Sequence, residues 1–545
     1  MNPTSPPVLV VGAGPAGLVA ALTLLHNGIP VRIIDKDLNP RIGQRGPGIW
    51  PRSLELFNFL NVPEVNDLGK PAPVIRSYKP GTLEPLTESS MVPHMEPNPT
   101  IPFHVPKLIG QQLLDVILRR HLEKFSCSVE MGTELRSFEQ SDKGVTVVLA
   151  KNGILETFDT KWWDESELCF AGVARKQLGL TFLGETRDDV RMVMGDIRLH
   201  GVGLDRTYWH RFGSFKARAL SLRPTDEVGE DGWQFVISAP DIDLTKLAQS
   251  EELIMEIIAS LLPTKVTFNK IVWVSKFRAN IRMVNKLSEG RGFVVGDAAH
   301  VHSPTGGQGL NSGIQDAFNL GWKLALVEKG LADKSLLETY SAERLPVISE
   351  MLDKTTTILN QAVKTESMTA PRSPILFMLG INCRFSSIVV DEFATPGKPI
   401  NAYGVLDDDH LEAGDRAPDA PNILQMGRGE SEAKTLFGLY RPSYHTALVF
   451  TPNLTGATPI LSALEAYDKS VVQSAVILPS SATGIPVASP ADFVLVDQGG
   501  HAYSAYLTET GQTKVFVIRP DGVIGAIVHG AEGVKKYFSG IFLGV

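Results

Sequence analysis

The sequence predicts an α/β protein of several domains, and three observations predict it. A strand, a glycine-rich turn and a helix follow one another near the N-terminus; a second such unit occurs near residue 295; strand-rich stretches fill the interval between them and the last third of the chain. At 545 residues the chain exceeds what one hydrophobic core organises. Its 43% hydrophobic and 21% charged residues are the proportions of a globular protein. A net charge of -8 argues against nucleic acid as a partner, because phosphate binding needs a concentrated positive surface. Cys127, Cys169 and Cys383 form no CxxC or metal-ligand spacing, so the reading is a cytoplasmic protein without a disulfide framework.

The first unit begins with the β-branched run Val8-Leu9-Val10-Val11, suited to a buried parallel strand, and passes into Gly12-Ala13-Gly14-Pro15-Ala16-Gly17. Gly12 permits the tight turn, Gly14 lets backbone approach a diphosphate, and Gly17 lets the helix pack on the sheet. A helix from Leu18 to Asn27, closed by Gly28, offers its positive end to phosphates. The second strand, Val31 to Ile34, ends in Asp35 and Lys36, with Asp35 where an acid meets ribose hydroxyls. The apolar stretch Val8 to Leu25 is long enough to span a bilayer, but four Gly and Pro residues interrupt it and no basic residue precedes it. A dinucleotide site explains the segment better, and no membrane span is expected.

The second unit is Phe293-Val294-Val295-Gly296-Asp297-Ala298-Ala299-His300, then Ser303-Pro304-Thr305-Gly306-Gly307-Gln308-Gly309-Leu310-Asn311 and an amphipathic helix from Ser312 to about Leu326. An acid at the tip of an apolar strand is costly unless it meets a polar ligand, which singles out Asp297. His300 and His302 have no third ligand at matching spacing, so no metal is expected and a structural role is preferred.

Taken together these motifs resemble the class A flavoprotein aromatic hydroxylases, the group of para-hydroxybenzoate hydroxylase, and most closely their phenol hydroxylase branch. The resemblance covers nearly the whole chain. It implies a Rossmann-type FAD-binding domain, an inserted β-sheet substrate domain and a C-terminal thioredoxin-like domain. It places FAD against Gly12, Gly14, Ala16, Gly17, Asp35 and Lys36, the ribityl hydroxyls on Asp297, and the flavin ring beside Pro304, Gly307, Gln308, Gly309, Leu310 and Asn311. Within Arg45-Gly46-Pro47-Gly48-Ile49-Trp50, Arg45 and Gly46 are expected at the cofactor; the physical reason is that an arginine fork suits a diphosphate, and a solvated loop arginine is the alternative. Gln111, preceding an amphipathic helix from Leu113 to Leu122, matches the family's FAD-binding glutamine, and Arg119 on that helix either assists or is exposed.

The implied layout is 1–180 for the first part of the FAD domain, interrupted by substrate-domain elements; 181–285 for a β-rich substrate domain; 286–399 for the second part of the FAD domain and a helical linker; and 400–545 for the thioredoxin-like domain, whose family role is packing and homodimer formation. In the last domain Thr446 to Phe450, Val476 to Leu478 and Lys514 to Ile518 read as strands. The implied reaction hydroxylates a phenolic or polyketide-type aromatic substrate in secondary metabolism, with NADPH or NADH and O2. No side chain is identified as the catalytic base; Tyr208, Trp209, His210 and Arg211, in a strand-like stretch, and Arg282 are candidates for the pocket, with His210 and Arg282 singled out as catalytic candidates.

Two departures stand against the resemblance. Pro47 occupies the position near which phenol hydroxylase carries an aspartate. The family's third motif, a strand ending in Asp-Gly before an arginine-bearing helix, is represented by a recognisable helix, Gly172 to Gly179 with Arg175, but Lys161 to Ala171 lacks Asp-Gly and puts charges where a buried strand should run. A catalytically impaired flavin-binding protein is therefore the rival reading. A flavin-dependent halogenase is disfavoured, since its Trp-rich motif is missing and the C-terminal third matches hydroxylases.

Overall fold

The computed structural model describes residues 7–165, 173–214, 217–365, 373–394, 397, 400–407, 409–426, 433–482 and 489–544. The strand Val8–Val11 lies inside a six-stranded sheet with the order Ser288–Glu289, Gly292–Val294, Trp163–Glu165, Val8–Val11, Val31–Asp35, Val129–Met131. Its inner pairings are all parallel, and only the outermost hairpin, Ser288–Glu289 on Gly292–Val294, is antiparallel. The β-branched runs predict this: a strand covered on both faces needs apolar side chains on both. Leu9, Val10, Ile33, Ile34 and Val294 are fully buried.

The expectation that no strand precedes Arg175 is corrected. Trp163–Glu165 forms the strand beside Val8–Val11 and pairs with Gly292–Val294 on its other edge. Trp163 is fully buried against Phe138, with ring centroids 4.5 Å apart, and the site accepts so large a residue because Gly292 faces it: a Cβ there would come within 2.7 Å of the indole. Residues 166–172, which contain most of the departure from the family pattern, lie outside the described residues. The following helix is Val173–Gln177.

The helix Pro15–His26 starts with proline at its first turn and is left through Gly28, whose φ of +74° is costly for any other residue. It packs along the helix Gly309–Glu328, which begins three residues earlier than its apolar periodicity suggests. Small residues permit the close approach. A Cβ on Gly313 would stand 3.3 Å from Ala16 Cβ, and one on Gly321 would stand 2.6 Å from Thr23.

The inserted sheet has eight strands, ordered His300–Val301, Val266–Val284, Phe182–Gly201, Gly232–Ser238, Ala219–Pro224, Tyr208–Gly213, Val74–Tyr78, Pro85–Ser89. It therefore draws strands from well outside 181–285. Alternation gives it two faces. Val193, Ile197, Leu222, Phe235 and Ile237 pack under the helices Leu244–Gln249 and Glu251–Leu261, capped by Asp243 and Ser250. Met192, Met194, Val236 and Phe277 face the opposite way, into a cluster with Trp50, Ile101 and Phe377.

The C-terminal region carries its own eight-stranded sheet, with His445–Phe450, Val472–Pro479 and Phe493–Asp497 parallel and Lys514–Ile518 antiparallel to the first. Its edge strand Val390–Asp391 pairs with Ile524–Val528 and so starts before residue 400. Buried charges join this region to the nucleotide domain. Arg519 forks onto Glu343 with both bonds at 2.9 Å, Lys323 reaches Glu343 at 2.9 Å, and Arg416 meets Glu55 at 2.6 Å. Among the described residues, no helix is long and apolar enough to cross a membrane.

Candidate active site

The first glycine loop is held from the second strand. Gly12, at φ +103°, donates its N–H to Ile34 O at 2.8 Å, and the buried Asp35 carboxylate accepts the N–H of Ala13 at 3.0 Å and of Asp37 at 2.9 Å. Asp35 thus fastens the turn as well as standing at the strand end. Gly14 and Gly17 are buried, Ala16 and Lys36 are half-buried, and a Cβ on Gly14 would lie 3.4 Å from Arg41 Nη1.

A cluster of charge lies beside this loop. Arg45 is half-buried, its guanidinium 5.3 Å from the Trp273 ring, rather than a solvated loop residue. Burial lowers its pKa first, then repulsion from Arg41. Asp115 is buried on the helix Gln111–Glu123, and burial pushes its carboxyl up to about 7 against the pull of Arg41, Arg119 and Arg45. Asp115 Oδ1, Arg45 Nε and Arg119 Nε are buried without a hydrogen-bond partner. Arg119 Nη1 lies 3.3 Å from Met131 Sδ, and Gln111 Nε2 donates to Gly46 O at 3.3 Å. Gln111 is the first residue of its helix rather than the one before it.

The second motif closes the other side. Asp297 sits in the short 3-10 turn Gly296–Ala298, where its side chain is exposed although protein atoms crowd around it. The residue is accessible to solvent at the tip of the turn. The crowding raises its carboxyl above the usual range, and His300, Arg41 and Arg45 oppose the rise. The same two arginines therefore act on Asp115 and on Asp297, which brings the two motifs to one place. Arg175 donates to Ala298 O at 3.0 Å, next to Asp297, and stacks over Phe182.

The turn is supported from behind. Asp316 accepts from His300 at 2.7 Å, from Arg344 at 2.7 Å and from Gly296 N at 3.3 Å, all buried. Asn311 accepts the Trp50 N–H at 2.9 Å and donates to Gly48 O and Gly307 O at 2.9 Å; Trp50 Nε1 donates to Gly307 O at 2.9 Å. Gln308 is buried, donates to Gly306 O at 2.9 Å and accepts from Tyr403. Asn311 and Gln308 thus hold the loop, whereas Pro304, Gly307, Gly309 and Leu310 stay partly accessible.

His210 is corrected: the structure does not bring it to this place. It points to the helix-covered face of the inserted sheet, stacked on Phe212 and Tyr78, with Nδ1 2.5 Å from Tyr78 Oη and Nε2 2.8 Å from Asp205 O. Burial lowers its pKa. A satisfied core imidazole leaves no nitrogen for a substrate. Trp209 and Arg211, one residue to either side, share the opposite face with Ser221, to which Trp209 donates at 2.5 Å. Arg282 lies one strand in from the sheet edge, between Val301 and Gly184 and 3.3 Å from Thr186 Oγ1.

Arg41 and Asp115 were not singled out from the sequence. The signal available was an arginine four residues before Arg45 and an acid one turn after Gln111 on an otherwise apolar face. The orphaned charged atoms, the accessible acid and the glycine turns suit a group that carries both a diphosphate and a hydroxylated chain, so the residues present fit FAD.

The FAD binding domain family model matches residues 5–355. A flavin-dependent monooxygenase of Mycobacteroides abscessus is 34% identical over 456 residues, 81% of this chain and 88% of that protein. The 6-methylpretetramide 4-monooxygenase of Streptomyces rimosus is 32% identical over 65% of this chain and 61% of its own length. Aklavinone-11 hydroxylase, solved with FAD and aklavinone, superposes with a TM-score of 0.77 over 98% of this chain and 99% of that one at 24% identity. Matched over almost two thirds of its length by the family model, and sharing its fold with FAD-dependent hydroxylases, the chain belongs to the FAD binding domain family and is a class A flavin-dependent monooxygenase.

Proposed function

We propose that the enzyme hydroxylates an electron-rich phenolic ring of a polycyclic, polyketide-type metabolite. The observation that carries the reading is the convergence of Arg41 and Arg45 on both Asp115 and Asp297, beside the Gly12–Gly17 turn. In this reading the turn and the N-terminus of Pro15–His26 bind the diphosphate, Arg41 and Arg45 neutralise it, and Asp297 accepts hydroxyl groups of the ribityl chain. Gly307, Gly309 and Leu310 flank the ring system, with Asn311 and Trp50 holding that loop in place. Bound FAD, once reduced by NADPH or NADH, supplies the activation of O2.

The substrate ring then belongs on the site-facing side of the inserted sheet, beside the partly buried Met194, Val236 and Phe277, which pack with Met192, Trp50 and Phe377. This wall is apolar and excludes water from the reacting atoms. Its breadth across several strands, together with the polycyclic compounds named for the Streptomyces rimosus relative and for aklavinone-11 hydroxylase, favours a large substrate over a simple phenol. A homodimer built through the C-terminal domain is part of the same reading and is checked by light scattering.

The test is a bound-flavin absorbance spectrum followed by NADPH oxidation with a panel of phenolic polyketides under labelled dioxygen. Substrate-stimulated oxidation with one labelled oxygen in the product supports the proposal. Tight FAD binding with no stimulation by any phenol would instead select the catalytically impaired flavoprotein.

A further inference from the structure

The site-facing side of the inserted sheet ends in a polar row. Arg223, Gln234, Asp196 and Trp273 are cross-strand partners on four adjacent strands. The next row, Ser221, Val236, Met194 and Ser275, is small or apolar. Every member of the polar row meets the segment Gly43–Arg45. Asp196 Oδ2 accepts the Gln44 N–H at 2.9 Å, Arg223 donates to Gln44 Oε1, and Gln234 Nε2 donates to Arg45 O at 2.8 Å. Trp273 lies against Gly43, where a Cβ would come 2.5 Å from the indole.

These contacts are costly to build. Asp196 is 0% and Arg223 5% exposed, yet the two form no ion pair. Each instead addresses Gln44, and Glu227 is the third charge near them, accepting the Gly110 N–H at 2.8 Å. Burial pushes Asp196 up to about 6 and pulls Arg223 down to about 10, and their mutual attraction, with the Gln44 N–H on Asp196 and Glu227 on Arg223, offsets this only in part. A buried pair gains most from its attraction when the two groups touch. Here an amide stands between them. The residue beyond that amide, Arg45, has a backbone φ of +49°, a left-handed conformation that is costly for a non-glycine residue. Costly buried charge and backbone strain meet at one segment.

We propose that Asp196 and Arg223 are positioning residues that clamp Gln44 and so hold Arg45 in its strained conformation at the cofactor. The inserted sheet, not the loop itself, then sets the reach of Arg45. The inference rests on the reading that Arg45 contacts FAD.

The experiment is a double-mutant cycle on apoprotein, reading the FAD dissociation constant by flavin fluorescence and thermal unfolding separately. Arg45→Gln is expected to weaken FAD about tenfold, Asp196→Asn about fivefold, and the double variant no more than Arg45→Gln alone, because contacting residues are not additive. Asp196→Asn exchanges the charge-assisted bond to the Gln44 N–H for a weaker neutral one and removes a buried charge, so the unfolding temperature of the apoprotein should hold or rise while affinity falls; a merely structural role would lower both. Multiplying effects, or wild-type affinity in Asp196→Asn, would overturn the clamp. Wild-type affinity in Arg45→Gln would instead overturn the placement of Arg45. Should Asp196→Asn not fold, Gln44→Met removes the Arg223 half of the clamp from the loop side, while leaving the backbone N–H for Asp196, and carries the same test on Arg223.

Discussion

Gly313 touches Ala16 so closely that a Cβ on the glycine would stand 3.3 Å from the alanine Cβ, and the same atom would lie 3.2 Å from the backbone of Gly296. One glycine therefore sets the distance between the two nucleotide motifs. Alanine at 313 needs its neighbours to yield by a few tenths of an ångström; valine needs more than the packed helices can give. Gly313→Val should cost about 1–3 kcal/mol in stability and weaken FAD more than Gly321→Ala, which strains the same helix pair far from Asp297. Equal effects on FAD affinity from the two variants, read by fluorescence titration, would refute this.

Asp297 offers a cleaner separation of binding from folding. Among the described residues no hydrogen bond is made to its carboxylate, and the protein atoms crowded around it raise its pKa against the pull of His300, Arg41 and Arg45. Asp297→Asn should leave the apoprotein as stable as the parent, or more so above the ordinary carboxyl range, while FAD affinity falls by at least about tenfold, the value of one charge-assisted bond. Retained affinity in the purified variant would remove Asp297 from the site.

Asp115 makes a prediction about pH. Its folded pKa is about 7 against an ordinary value of 3.8, so the folded state holds a proton that the unfolded chain has already released. Stability of the apoprotein should fall as pH rises from the ordinary carboxyl range to about 7 and level off above it. Asp115→Asn should flatten that segment of the denaturation profile. An unchanged slope would show that the arginines already compensate the charge.

Glu343 holds the C-terminal region in place through Arg519 and Lys323, all three buried. Its carboxyl is held well below the usual range, with the two cations overcoming the cost of burial. Its contribution is present above the ordinary carboxyl range and is lost only in strong acid. Glu343→Gln leaves Lys323 without its carboxylate while Arg519 keeps Asp521 at 2.6 Å, and should cost about 3–5 kcal/mol, whereas replacing Lys323 by Met alongside it should recover part of the loss. Urea denaturation of the single and double variants checks the order.

The nucleotide half of the fold was legible because its demands are local. Glycines at fixed spacing, a β-branched strand and an acid at a strand end are set by neighbours in sequence, and Gly12, Asp35 and Asp297 take the positions those demands predict. The strand at Trp163 was missed because its burial depends on Gly292, distant in sequence, leaving room for an indole. His210 was misjudged for a related reason. A period of two separates the faces of a strand without saying which one is covered, and here the helices Leu244–Gln249 and Glu251–Leu261 took the face of His210. The row from Arg223 to Trp273 needs the register of four strands, which no single stretch of chain encodes.

The order of strands in the nucleotide sheet also governs how the chain is born. Val8–Val11 pairs with Trp163–Glu165, which pairs in turn with Gly292–Val294. The first strand to leave the ribosome must therefore wait for one made about 150 residues later, roughly 8–30 s at ordinary elongation rates, and that one waits in turn for Gly292–Val294. Through that interval its apolar edge has no final partner, and the nascent chain depends on the helix Pro15–His26 and on chaperones to keep it from pairing elsewhere. A transcript that ends before Gly292 encodes every glycine of the first motif and still cannot close the sheet that presents them.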